Sequence, residues 1–332
     1  MNPSGPISGK PACAGQPGFT GRKRRGEPWR STRGCCGPGD RHPPPRNERS
    51  IKSRRFLMTW LQALILGIVQ GLSEYLPISS SAHLVLVPWL LGWRNDERIV
   101  FPFDVLVQWG TLVPLLVYFR RDLWAIMRGW WDGLRRGAPF ATPEGQLGGW
   151  ILLATLPAAI LGVLLKRPIE AVFLQPVLTG VLLFGTAGLL WLGEHFGRGE
   201  RDLGRMQAWD ALVIGFAQAL SLLPGISRSG STIAAGLGRG LRRPEAARFS
   251  FLLGIPALLG AGLVALRDLY VIGFPSDALL PILIGFLSAA LSGYFAIWGL
   301  MRLVRRRSLR PFAVYCVGVG ILTIALTLLR GG

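Results

Sequence analysis

Six mostly apolar runs, Phe101–Phe119, Trp150–Leu165, Leu174–Leu192, Phe249–Leu266, Leu279–Leu300 and Phe312–Leu329, leave this chain few ways to fold. A stretch of about 18 or more apolar residues with few charges reads as a membrane-crossing helix. Trp150–Leu165 is short for that role. Half of the 332 residues are hydrophobic and 17% are charged, and the apolar residues come in blocks, not in alternation. The expected fold is an all-α polytopic membrane protein, with about six transmembrane helices and two re-entrant helical hairpins.

The net charge of +19 suggests a nucleic-acid partner until the basic residues are located. Thirteen lie in the first 55 residues, and most others lie in short loops, as the positive-inside rule expects. No basic face is left over for nucleic acid. Cys13, Cys35, Cys36 and Cys316 show neither metal-ligand spacing nor a disulfide framework. Residues 1–55 are rich in Gly, Pro and Arg, have no apolar run, and read as a disordered tail, not a signal peptide. Met58-Thr59-Trp60-Leu61 is a more ordinary membrane-protein start, so the tail reads as a gene-start artefact or dispensable extension. The membrane domain is then 56–332.

Within it the chain repeats itself. Ala63-Leu64-Ile65-Leu66-Gly67-Ile68-Val69-Gln70 aligns with Ala211-Leu212-Val213-Ile214-Gly215-Phe216-Ala217-Gln218, and Ser79 and Ser81 fall on Ser227 and Ser229. Arg121-Asp122-Leu123 falls on Arg267-Asp268-Leu269 after a shift of two residues. The repeats are placed at 58–194 and 207–330. Each opens with two apolar pieces too short to span, around Pro77 and around Pro224–Thr232. Repeats with interrupted helices in matching positions point to a site at their interface, near the bilayer midplane. The arginines of 302–310, 239–248 and 120–136 mark the cytoplasmic side. That assignment sends the first hairpin in from outside and the second from the cytoplasm. It also leaves the basic tail outside, an unfavourable place for it.

Pro224-Gly225-Ile226-Ser227-Arg228-Ser229-Gly230-Ser231-Thr232 is expected to be a polar loop between greasy segments. An ionisable residue at such depth marks function. Arg228 has five fixed donors that suit phosphate, with Ser227, Ser229 and Thr232 adding hydroxyls and Gly225 letting backbone N–H groups approach an anion. Gln70 and Glu74 share a helical face. Glu74 in an apolar run needs a cation, which Arg228 or a divalent metal could supply, Mg2+ or Ca2+. A purely structural Glu–Arg pair is the plainer alternative. Ser79, Ser80 and Ser81 are candidate phosphate ligands or caps for a helix beginning near Leu84, and Ser80 is a candidate nucleophile. His83 is a candidate proton carrier. Asp104 and Gln108 could add polar groups to the same cavity. His42 and His195 read as solvated.

Gln70-Gly71-Leu72-Ser73-Glu74-Tyr75-Leu76-Pro77-Ile78-Ser79-Ser80-Ser81-Ala82-His83 resembles the first motif of bacterial undecaprenyl-diphosphatases, the bacitracin resistance family, and Pro224–Thr232 resembles their second. Gln70 stands where many members have Glu, and Ala82 where a glycine is common. The resemblance covers about residues 58 to 330. It implies hydrolysis of undecaprenyl diphosphate to the monophosphate carrier of cell-wall synthesis, dependence on a divalent cation, an outward-facing site in the plasma membrane, and bacitracin resistance. It leaves serine or water as nucleophile. Partners would be the lipid substrate and membrane lipids, with a homodimer left open. Broken helices in inverted repeats also suit a lipid-phosphate transporter or flippase.

Overall fold

Thr59 opens the first helix of the computed structural model. Its hydroxyl accepts from the Gln62 N–H at 3.2 Å, and its own N–H donates to the Gln62 side chain at 2.8 Å, a reciprocal cap. The structure describes residues 58–93, 97–138, 140–165, 175–272 and 279–329. The basic tail assigned to 1–55 lies outside them. The helices are α1 Trp60–Tyr75, α2 Ser80–Leu90, α3 Glu97–Tyr118, α4 Arg120–Arg135, α5 Pro143–Leu164, α6 Pro176–Phe196, α7 Ala208–Leu220, α8 Arg228–Gly238, α9 Arg243–Ile272, α10 Leu279–Leu303 and α11 Arg310–Leu329. Among the described residues there is no strand, only an isolated bridge between Arg201 and Leu241.

Six of these helices, α3, α5, α6, α9, α10 and α11, are long and apolar enough to cross a membrane, so the chain is an all-helical multi-pass membrane protein. Trp150–Leu165 proves to be the end of a longer helix. Thr142 caps α5 by accepting from the Gly145 N–H at 3.0 Å, and the 22 residues from Pro143 extend about 33 Å. α2 and α8 have 11 residues each, about 16 Å or half a bilayer. Large apolar side chains face outward along the spans, among them Leu156, Val163, Leu291, Phe295, Val314 and Leu328. Lipid, not water, suits such a surface.

α4 falls where a cytoplasmic loop was expected. Its Trp124, Met127, Trp131 and Leu134 form one exposed stripe, the i, i+3, i+7, i+10 pattern of an amphipathic helix. Arg128 and Arg135 stack over Trp124 and Trp131 at 5.8 and 4.9 Å from the ring centroids.

The opening helices of the two expected repeats are α1 and α7. α1 lies chiefly along α10, whereas α7 lies along α5, so each repeat's opening helix packs in the other half. Equivalent glycines make both contacts possible: a Cβ on Gly67 would overlap the Gly285 backbone, and one on Gly215 would overlap Ala154. A shift of 148 residues superposes the sequence of one hairpin on the other. It places Leu222 at the position of Glu74, Arg228 at that of Ser80, and Ser231 at that of His83. The hairpins share a form but divide the chemistry.

Candidate active site

The first hairpin turns between α1 and α2. Pro77, with no N–H to donate, ends the helical ladder. Ser79 then adopts φ +71°, the only positive φ at a non-glycine residue among those described. Such backbone persists only where the surroundings enforce it. Here the enforcing residue is His83: its backbone N–H and its Nδ1 both reach the Ser79 carbonyl, at 3.3 and 2.7 Å. A carbonyl only accepts, so Nδ1 carries a proton, which in the neutral ring leaves Nε2 as an acceptor. The Tyr315 hydroxyl, 2.8 Å from Nε2, donates to it. Helix α2 begins at Ser80, earlier than the expected Leu84, and the Ser79 hydroxyl makes no cap bond; it pairs with Ser81 at 3.2 Å.

The second tip is shorter than the expected nine-residue loop. Ser227 accepts from the Gly230 N–H at 3.1 Å and caps α8, so Arg228 through Thr232 are already helical. A serine cap explains the difference: it satisfies an N–H that a loop would have left to a ligand. Gly225 has φ +105°, and a Cβ there would press on Thr179 and Leu182 of α6. Its glycine therefore serves the turn and a close helix approach. Thr186 of α6 donates to the Gly225 carbonyl at 2.7 Å and accepts from the Ser227 N–H at 2.8 Å.

The two tips meet. Arg228 Nη2 donates to Glu74 Oε1 at 3.1 Å, and Ser229 Oγ donates to the Leu76 carbonyl at 3.2 Å. Glu74 Oε2 accepts from Ser80 Oγ at 2.6 Å and from Gln70 Nε2 at 3.1 Å. Ser227 and Ser229 pair at 3.2 Å, matching Ser79 and Ser81 in the other hairpin. Gln70, Glu74, Ser80 and Arg228 thus form one hydrogen-bonded cluster, flanked by two serine pairs. His83 and Thr232 stand apart from it. Both His83 ring nitrogens have protein partners. The Thr232 hydroxyl donates to the Arg228 carbonyl at 2.7 Å and pairs with Ser250 Oγ at 2.6 Å, so it braces α8 against α9. Asp104 and Gln108 make no side-chain hydrogen bond to any of these residues.

Two buried atoms in this cluster lack partners: Arg228 Nε, a donor, and Gln70 Oε1, an acceptor. Buried polar atoms are rarely left so. An oxyanion at Arg228 Nε, and a cation, donor or water at Gln70 Oε1, would satisfy them. The donor set is oxygen-only around one carboxylate, which suits a hard divalent cation. Among the described residues no group of three or more His, Cys, Asp or Glu could hold a metal. Such a cation would draw its remaining ligands from phosphate oxygens and water.

Sequence reasoning missed Tyr315, Thr186, Ser250 and Gly254. Gly254 leaves the volume that the Arg228 guanidinium fills. The structure shows a matching clasp on each hairpin: Thr186 on α6 donates to the Gly225 carbonyl, and Cys316 on α11 points its thiol at the Pro77 carbonyl, 3.7 Å away. Gly225 and Pro77 are equivalent positions of the two hairpins.

These features define a polytopic membrane protein with a buried cluster of Arg228, Glu74, Ser80 and Gln70 between two short helical hairpins. The chain belongs to the family described as bacitracin resistance protein BacA, whose model matches residues 63–322. It is 44% identical over 270 residues to an undecaprenyl-diphosphatase of Thermomicrobium roseum, covering 79% of this chain and 96% of that protein. A protein of the same name from Geobacter sulfurreducens is 44% identical over 274 residues, 82% of this chain and all of the relative. One from Methanosphaera stadtmanae is 41% identical over 276 residues, 80% of this chain and 98% of the relative.

Proposed function

We propose that this chain hydrolyses undecaprenyl diphosphate to undecaprenyl phosphate and inorganic phosphate, recycling the carrier lipid of peptidoglycan synthesis and conferring bacitracin resistance. The observation that carries the reading is the unpartnered Arg228 Nε beside Glu74 and Ser80 in the hairpin contact. The N-terminus of α8, which begins at Arg228, adds partial positive charge at the same place.

In this reading the terminal phosphate lies against Arg228, Ser227 and Ser229. Glu74 Oε2 takes the Ser80 hydroxyl proton across the 2.6 Å hydrogen bond. Ser80 Oγ forms a bond to the terminal phosphorus as the anhydride P–O bond breaks, and the lipid monophosphate leaves. Water then cleaves the phosphoserine, releasing orthophosphate and restoring the Ser80 hydroxyl. Arg228 neutralises the charge that builds on the phosphoryl oxygens. His83 holds the strained Ser79 turn that aims Ser80. A divalent cation, Mg2+ or Ca2+, bound by Gln70 and Glu74 would supply further charge neutralisation. The hairpins enter from opposite faces of the plasma membrane, with the site opening outward.

The test is phosphate release by purified protein in detergent, where no membrane remains to be crossed. Hydrolysis there separates an enzyme from a transporter. Ser80→Ala is expected to lose at least about 1,000-fold in turnover, with no phosphoserine trapped on rapid acid quench. Near-wild-type release by Ser80→Ala would make water the nucleophile, and no release by the wild-type protein would end the hydrolase reading.

A further inference from the structure

A polar cavity of ≈ 220 Å³ opens at the far end of α8 from Arg228. Leu237 lies in its lining, nine residues after Arg228, so the cavity is about 14 Å along the helix axis from the candidate active site. Its charge comes from Arg198, Arg242, Arg243 and Arg305, set against a single lining carboxylate, Glu194.

That carboxylate is already satisfied. Arg243 holds Glu194 through Nε at 2.9 and 3.1 Å and through Nη2 at 2.6 Å, and the Leu309 N–H adds 2.8 Å. Arg242 pairs with the exposed Asp202 outside the lining. Arg198 and Arg305 are exposed and their side chains make no hydrogen bond or ion pair among the described residues, and Arg305 also lies within electrostatic range of the Tyr118 hydroxyl. Of the lining glycines, Gly193 and Gly197 let α6 approach α8 at Ala234 and Leu237, and Gly199 has open space where a Cβ would stand. The volume equals roughly seven water molecules at about 30 Å³ each, room enough for a phosphate and the start of its ester.

Depth identifies the ligand's class. The cavity sits where three membrane-crossing helices end: α6 at Phe196, α9 at Arg243 and α10 at Leu303. Exposed Trp191 and Trp298 lie less than two turns further in on α6 and α10, as aromatic belts do at the headgroup level. Guanidinium groups at that level match phosphate oxygens in charge and in fork geometry.

We propose that this cavity is a second anion site, which takes a phosphate group at headgroup depth, carried by an anionic phospholipid or free as orthophosphate. It shares no residue with the hairpin cluster.

Native mass spectrometry of the full chain in maltoside detergent tests this. The probes are phosphatidylglycerol, diacylglycerol as a phosphate-free comparator, and orthophosphate as competitor. Wild-type protein should retain phosphatidylglycerol about tenfold more tightly than the Arg198→Gln/Arg305→Gln variant. That variant keeps the active site, so hydrolysis of undecaprenyl diphosphate should be unchanged. Displacement by orthophosphate would show that the free ion suffices. Resistance to displacement would assign the site to the lipid headgroup. Equal retention by wild type and variant, or retention of diacylglycerol as firmly as phosphatidylglycerol, overturns the proposal.

Discussion

A β-carbon on Gly254 would overlap Nη1 of Arg228. The guanidinium passes through the gap that this glycine leaves on α9, one turn after Ser250, whose carbonyl accepts from Nη1 at 3.4 Å. Arg228 is therefore aimed at Glu74 from three sides: its own helix, the Ser250 carbonyl and the missing side chain of Gly254.

Gly254→Ala is expected to fold, because the atom it meets is the far end of a flexible side chain, with strain of about 1–3 kcal/mol. The arginine must shift to make room. Its contact with Glu74 is then lost or lengthened, and kcat/KM for phosphate release should fall about 10- to 100-fold while Tm drops only slightly. Unchanged kinetics would mean that the guanidinium has another productive position.

Removing either end of the ion pair has a harsher effect. The side chains of Arg228 and Glu74 are 12% and 5% exposed, so the survivor of a single substitution is a buried, uncompensated group. That costs about 3–5 kcal/mol in a fully buried pair. Glu74→Gln also removes the acceptor of the Ser80 proton, which is worth about 100- to 10,000-fold. Arg228→Lys keeps the charge but loses Nε and the fork. Turnover should fall at least 100-fold in both variants while the protein still inserts and purifies. Phosphate assays on detergent-solubilised variants, read beside their melting curves, check both statements.

The sequence made the spans, the hairpins and the charged pair legible for the same reason. A carboxylate or guanidinium in an apolar run is costly, so its presence is a strong signal. α4 was overlooked because its arginines resemble a cytoplasmic loop when counted, although Trp124, Met127, Trp131 and Leu134 repeat at helical spacing. The extent of the second loop was overestimated, since a helix that begins on a serine cap leaves no apolar run to mark it. Thr186, Ser250, Gly254 and Tyr315 lie on spans distant in sequence from the residues they position. No local pattern reports such contacts.

Asp210, at the first turn of α7, anchors the second hairpin at its base. It is fully buried and accepts from Arg201 Nη2 at 2.8 Å, from Arg239 Nε at 2.6 Å and from the Gln207 N–H at 3.0 Å. Burial acts to raise its carboxyl. The arginine and backbone hydrogen bonds outweigh that and hold it below the usual carboxylate range. A folded value below the unfolded one means stability that is present above about pH 4 and is lost as pH falls through the folded value. Asp210→Asn should lower Tm at neutral pH, and the gap from wild type should close on acidification below about pH 4. A gap that stays constant with pH would show that the carboxylate's charge contributes nothing.

Thr186 and Cys316 hold equivalent carbonyls, at Gly225 and Pro77, yet the two clasps differ in strength. Thr186 is fully buried, and its hydroxyl serves two backbone groups at once, at 2.7 and 2.8 Å. The Cys316 thiol, a weak donor, reaches one carbonyl at 3.7 Å. Thr186→Val keeps the shape but leaves the Gly225 carbonyl and the Ser227 N–H buried without partners, at about 1–3 kcal/mol each. The second tip would then loosen beneath Ser227 and Arg228, so KM for the lipid diphosphate should rise several-fold with a smaller change in kcat. Thr186→Ser restores the hydroxyl and should recover wild-type KM. Cys316→Ala removes only the weaker clasp and should change KM less than Thr186→Val does. If Thr186→Ser is as impaired as Thr186→Val, the methyl group and not the hydroxyl is what positions the loop.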